Sequence, residues 1–320
     1  MTTIKLMSLI MTAALAACES PDPPPPPVGA AVAWKTLAPA PSARTEVAAT
    51  AAGNKIYALG GYRADGATVS TVEIFDVVTG SWSNGPELPV PVKHAMAATV
   101  DGTVYVLGGF DSKNQAFAGA FKLVGNSWQP ITDLPVPRAA GAAAVVNGRI
   151  YLAGGLGPGG GLASTLLVYN TADGKWSAAM GLPTLREHLG AAAFGGEIYT
   201  VGGRTGAGNL DAFETFDPGT QKWSSKPALP TPRGGMSAAA TCSGGIVAVG
   251  GEAQSTFKEV ELFDIKSGTW KALPPLPTPR HGLGVVTVGT VLYTLTGGPQ
   301  PGLHVANTVE AIDLAALGAC

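Results

Sequence analysis

The sequence predicts an all-β fold: six four-stranded antiparallel blades around one axis, a β-propeller closed by an N-terminal strand that completes the last blade. Three observations predict it. First, a strand-like segment ending in diglycine returns six times, as IYALGG at 56–61, VYVLGG at 104–109, IYLAGG at 150–155, IYTVGG at 198–203, IVAVGG at 246–251 and LYTLTGG at 292–298. The first glycines, Gly60, Gly108, Gly154, Gly202, Gly250 and Gly297, lie 48, 46, 48, 48 and 47 residues apart, the period of a repeated supersecondary unit. Second, a tryptophan follows that glycine by 20 to 22 residues at Trp82, Trp128, Trp176, Trp223 and Trp270. Third, the sixth unit has no such tryptophan, whereas an orphan one, Trp34, stands before the first unit.

Within a unit the elements follow in a fixed order. Two apolar runs of small residues flank a two-residue turn, as in AATVDGTVYVLGG, where Asp101-Gly102 supplies the positive φ that a tight hairpin needs. Asn147-Gly148 and Gly195-Gly196 repeat the device. A variable polar loop follows the diglycine and leads to a third strand such as TVEIFD at 71–76 or EVELFD at 259–264, whose alternation sets Val72 and Ile74 opposite Glu73 and Phe75. The tryptophan marks a short fourth strand, and regular recurrence assigns the indoles to packing between blades. Pairing the Trp34 segment with the last blade protects strand edges that an open array would expose. Radial repetition of four-stranded sheets is the propeller pattern.

The diglycine, the acidic third strand and the tryptophan together resemble the Kelch repeat, over about residues 34–314. The resemblance implies the fold. Its implication for function is broader, since Kelch propellers serve both binding and enzymatic roles.

Residues 1–17 read as a leader: Lys5, an apolar run through Ala17, then Leu15-Ala16-Ala17-Cys18, which resembles a bacterial lipobox with Cys18 as the lipidated residue. Residues 18–30 carry Pro21 and the block Pro23 to Pro27, a stiff polyproline spacer, and 31–320 form the propeller. An ordinary secretory signal is the alternative; the lipobox resemblance implies a place on the bacterial cell envelope, facing the periplasm or the exterior and touching membrane through the lipid alone. A net charge of −2 gives no support for nucleic acid as a partner. Cys242 and Cys320 remain, at the ends of strands in neighbouring blades on one face, and their pairing is left open.

Candidate chemistry lies where connections reach the opposite face. Each first strand is preceded by a proline-containing approach ending in a basic residue: Arg44, Lys93, Arg138, Arg186, Arg233 and Arg280. The first strand of a blade is innermost, so these are expected to ring the channel mouth, where guanidinium groups either hold loop carbonyls and acids of the scaffold or converge on an anionic or polyhydroxylated ligand. His94, His188 and His281 join them, with Glu187 and Glu46. Glu187 and His188 are candidates for general acid–base chemistry, although neighbours on a regular strand point to opposite faces. The loops after the diglycines, such as those at Tyr62, Phe110, Arg204 and Glu252, supply a variable rim. The glycine tract at 159–161 lacks the lysine and following helix of a phosphate loop, and no constellation matches the copper-bearing Kelch oxidases, so neither cofactor nor metal is expected.

These features predict a binding module whose partner is a protein or an anionic or carbohydrate ligand. The alternative is an enzyme similar to the bacterial Kelch sialic-acid mutarotases. Convergence of Glu187, His188 and two of the arginines on one pocket would favour the enzyme; local pairing of each would favour the binding scaffold.

Overall fold

The computed structural model describes Val32–Cys320. The predicted leader, the lipidation site at Cys18 and the whole proline tether lie outside the described residues.

Six four-stranded antiparallel sheets make up the described chain, with one two-stranded hairpin in addition. The first blade runs Ala48–Ala52, Lys55–Leu59, Val72–Asp76 and Ser81–Asn84 from first to fourth strand. The next four blades repeat that order, opening at Met96–Val100, Ala142–Val146, Gly190–Phe194 and Ser237–Ala240. The sixth contains Gly284–Val288, Val291–Leu295 and Val309–Asp313, and its fourth strand is Lys35–Thr36 from the beginning of the chain. Lys35 pairs with Ala311 and Thr36 with Glu310, so the ring closes as the orphan tryptophan implies.

The indoles explain how blades stay in register. Trp34 Nε1 donates to the carbonyl oxygen of Pro274 at 2.8 Å, across the closure. Trp82, Trp128, Trp176, Trp223 and Trp270 make the same bond to Ala38, Pro86, Thr132, Met180 and Pro227 of the preceding connection. Each ring therefore covers apolar surface with its body and satisfies its polar tip on a neighbour. Phe75 shows the apolar side of the seam: it lies 5.2 Å from the Trp82 ring and 6.3 Å from Tyr293 of the sixth blade. Burying such a side chain contributes roughly 2–3 kcal/mol.

The hairpin turns form as the sequence requires, with both central residues at positive φ in Asp101-Gly102 (48° and 76°) and Asn147-Gly148 (50° and 69°). The diglycine has a further cause. A Cβ at Gly60 would sit 2.3 Å from the carbonyl oxygen of Val92, because the approach to the next blade passes directly over it. One register assignment is corrected in the sixth blade. The N–H of Gly297 bonds the carbonyl of Arg44, as that of Gly61 bonds Val92, so Gly297 is the second glycine of its unit. Thr296 holds the first-glycine position, at φ 55° and fully buried.

Cys242 and Cys320 are joined by a disulfide, with Cα atoms 4.9 Å apart. It ties the end of the chain to the first hairpin of the fifth blade, beside a bond from Ser243 Oγ to the carbonyl of Ala319.

Candidate ligand-binding face

The approach to each first strand does reach the axis, but the arginines do not remain at the mouth. Arg44, Arg138, Arg186, Arg233 and Arg280 turn into their own blades and are fully buried. Each reaches the carbonyl that ends the second strand: Gly60 for Arg44, Gly154 for Arg138 at 3.0 Å, Gly202 for Arg186 at 2.7 Å, Gly250 for Arg233 at 2.9 Å and Thr296 for Arg280 at 2.6 Å. That carbonyl is orphaned by the diglycine turn, and a guanidinium has donors enough to serve it and more. In four blades the fork also meets a third-strand glutamate, Arg44 with Glu73 at 2.8 Å, Arg186 with Glu214 at 2.6 Å, Arg280 with Glu310 at 2.7 Å, and Arg233 with Glu261. Of the two roles the sequence left open for these arginines, holding the scaffold is the one all five take, so as candidate ligand-binding residues they are corrected. Their donors are spent inside the scaffold.

The second and third blades depart from this pattern in different ways. Val92, not Lys93, is the equivalent of the arginines, since its carbonyl receives the N–H of Gly61 as that of Arg138 receives Gly109. Phe121 pairs with Val106 at the register where Glu73 pairs with Ala58, so the second blade has apolar residues at both positions of the ion pair. In the third blade Leu167 takes the acidic register, opposite Leu152. Arg138 is left with carbonyls and the hydroxyl of Thr165 at 3.2 Å, and burial without an acid pulls its guanidinium down to about 10.

Lys93 sits one residue further, level with Thr45, Ala139, Glu187, Gly234 and His281, each bridged to the residue after its diglycine or its counterpart. It stays at the mouth, its ammonium 4.8 Å from the centre of the Tyr62 ring.

The next position in every repeat is left-handed: Glu46, His94, Ala140, His188, Gly235 and Gly282 have φ between 52° and 67°. Their backbones form a closed cycle around the axis. His94 N–H donates to the carbonyl of Glu46 (3.0 Å), Ala140 to His94 (2.9 Å), His188 to Ala140 (2.8 Å), Gly235 to His188 (3.0 Å), Gly282 to Gly235 (2.9 Å) and Glu46 to Gly282 (2.8 Å). Holding four non-glycine residues there costs on the order of 1–2 kcal/mol each, offset by a bond that locks every blade to the next. The irregular backbone at His188 also answers the strand argument made from sequence, because it lets Glu187 and His188 meet.

Around this cycle the polar side chains gather. Glu187 lies against Nδ1 of His188 and accepts from Arg204 Nε at 2.9 Å; Arg204 Nη1 reaches Glu252 at 2.7 Å. His94 Nε2 is 3.2 Å from a Glu46 oxygen, and His281 Nε2 is 3.6 Å from both Glu46 and Glu252. The His94 and His188 rings meet edge to face at 4.8 Å. Burial governs the protonation of this group. It raises the Glu46 carboxyl to about 8, reinforced by Glu252, and lowers His94 to about 3, reinforced by Lys93 and Arg204. Burial likewise lowers His188 and His281. Near neutral pH these histidines are uncharged and Glu46 holds its proton. Beneath lies a channel segment of about 140 Å³, lined below the cycle mainly by alanine, glycine and other small or apolar residues.

The KLHDC2/KLHL20/DRC7 Kelch-repeats domain matches residues 46–182 and again 126–298, together well over half of the chain. The chain belongs to the Kelch-repeat family. Kelch-like protein terF of Aspergillus terreus is 36% identical over 78 residues, 23% of this chain and 17% of that protein. An F-box/kelch-repeat protein of Arabidopsis thaliana is 34% identical over 94 residues, 28% of this chain and 23% of that protein. Human Kelch-like protein 33 is 35% identical over 85 residues, 27% and 16% of the two chains. The matched part thus spans less than a quarter of the length of these relatives.

In this Kelch propeller, sequence reasoning brought His94, His188, His281, Glu187 and Glu46 to one place, and the fold unites them. It placed Arg204, Glu252 and Tyr62 only on a variable rim. The signal that locates them is position: each stands directly after a second glycine, where its backbone bridges the approach segment.

Proposed function

We propose that this Kelch propeller is a binding module, presented from the cell envelope on a lipid attached to Cys18, that engages a protein or an anionic or carbohydrate ligand through the face built from the approach segments and the loops after the diglycines. The observation that carries this reading is the division of labour among the cations. The buried arginines serve the scaffold and Arg204 is paired with Glu187 and Glu252, while Lys93 stays at the mouth and the loop residues Arg63 and Lys113 are exposed. Kelch propellers act as protein-interaction modules, and variable loops on a rigid ring suit that role. The lipobox-like segment before Cys18 supports the envelope location. The mutarotase-like alternative is less favoured, since it needs ring arginines in the pocket with Glu187 and His188.

The test is capture from solubilised native envelope by the full chain, compared with Arg63→Glu and Lys113→Glu. A partner retained by the wild type and lost with both reversals supports the proposal, because rim charges steer association without holding the fold. Equal capture by all three, or none, overturns the assignment of this face. Labelled fatty acid incorporated by the wild type and absent from Cys18→Ser tests the anchor. Acceleration of sialic-acid anomeric exchange, followed by NMR, would install the enzyme reading instead.

A further inference from the structure

We propose that Glu46, His94 and His188 form a site for one first-row divalent metal ion, with Zn²⁺ the best-matched cation. Their ligand atoms all lie within 4.8 Å of one another. Donors about 2.0–2.1 Å from a tetrahedral ion stand roughly 3.4 Å apart, and His94 Nε2 and the Glu46 carboxylate are already 3.2 Å apart. Two imidazoles and one carboxylate with room for further ligands suit zinc or iron rather than calcium or magnesium, which prefer oxygen.

Three independent features make this a built site. The ligands occupy equivalent left-handed positions in the first, second and fourth blades, and the closed backbone cycle fixes their Cα atoms before any ion arrives. Nδ1 of His188 touches Glu187, whose other oxygen Arg204 holds; neither Nδ1 nor the touching Glu187 oxygen has a hydrogen-bond partner, and a metal on Nε2 would leave Nδ1–H to donate to that carboxylate. That carboxylate–histidine arrangement is how a metal-binding imidazole is oriented. Nδ1 of His94 is buried with no hydrogen-bond partner, and the three side chains are only 9%, 12% and 8% exposed in the order Glu46, His94, His188. The remaining cycle positions are Ala140, Gly235 and Gly282, so nothing larger than a methyl competes for the axis. His281, with Nδ1 at 3.1 Å from the carbonyl of Gly298 and Nε2 toward Glu46, is placed to support the carboxylate. The proposal runs against the expectation from sequence that no metal is bound, and it is independent of the partner the outer loops take.

The full chain, purified without a polyhistidine tag, is stripped with EDTA, loaded with Zn²⁺ or Co²⁺ and dialysed. The expected result is one Zn²⁺ per chain by elemental analysis and a visible d–d band for the Co²⁺ form. His94→Ala with His188→Ala should retain less than a tenth of that metal, and His304→Ala, whose exposed imidazole lies outside the cluster, should match the wild type. Glu187→Gln keeps the ligands but loosens the His188 support, and should weaken affinity about 10–100-fold. Folded wild type, verified by circular dichroism, that retains neither ion overturns the site. So does a double variant that retains as much as the wild type.

Discussion

Arg44 and Glu73 form a buried ion pair at 2.8 Å, and in the second blade their two registers are held by the apolar residues Val92 and Phe121. One scaffold thus tolerates both solutions, and the third blade keeps a buried arginine without an acid only by adding a bond from Arg138 to the Thr165 hydroxyl, which Arg44 does not make to Thr71. Glu73→Leu leaves a buried guanidinium without its acid and is expected to cost about 3–5 kcal/mol. Arg44→Val with Glu73→Phe, which copies the second blade, should recover most of that loss. Chemical denaturation of the three proteins checks this, and a double variant less stable than the single one would refute it.

Thr296 stands at φ 55° where five blades use glycine, and its Oγ1 is buried without a partner. Thr296→Gly relieves the left-handed strain of a β-branched residue and removes the unsatisfied hydroxyl. We expect a gain of about 1 kcal/mol after the lost methyl packing, read as a higher midpoint in thermal unfolding. A lowered midpoint would show that packing dominates there.

The cluster at the mouth should shape stability against pH. Folded Glu46 keeps its proton to about 8, whereas a glutamate in the unfolded chain releases it near 4.5. The unfolded chain therefore gains as pH rises through that window, and the contribution of Glu46 to folding falls across it and levels above 8. His94 acts from the other side, its folded value of about 3 against 6.5 removing stability as pH falls from 6.5 toward 3. Glu46→Gln, an isostere of the protonated acid, should gain on the wild type by up to about 1.4 kcal/mol per pH unit between pH 5 and 8. Urea titrations in EDTA measure it; a difference that does not change with pH would reject this assignment.

The Cys242–Cys320 bond closes 78 residues of sequence and ties the sixth blade to the fifth. Cys242→Ala is expected to destabilise by about 2–4 kcal/mol. Dithiothreitol should lower the wild-type midpoint to match the variant and leave the variant unmoved. Identical midpoints for oxidised wild type and variant would contradict it.

Much of this was legible beforehand because the repeat displays itself. Diglycine, third-strand acid and tryptophan each recur at nearly fixed offsets, and a recurring residue has a recurring environment. The same regularity misled at the second blade, where Lys93 lies one residue beyond the arginine register. A basic residue after a proline-rich approach looks equivalent in sequence, and only the bond from Gly61 to Val92 separates the two positions. The disulfide was open for a similar reason, since strand direction gives the face but not the radial distance.

By itself the sequence determined the number of blades, the strand order, the closure by the Trp34 segment and the face on which the chemistry lies. All of these follow from local periodicity and from the need to bury one side of every strand. The tertiary structure alone decided where each cation points. An arginine beside an orphaned carbonyl and a third-strand glutamate turns inward, and that pairing joins residues about 30 positions apart. It also gathered Glu46, His94 and His188 from three blades, because closing six units on one axis brings together residues that no local pattern connects.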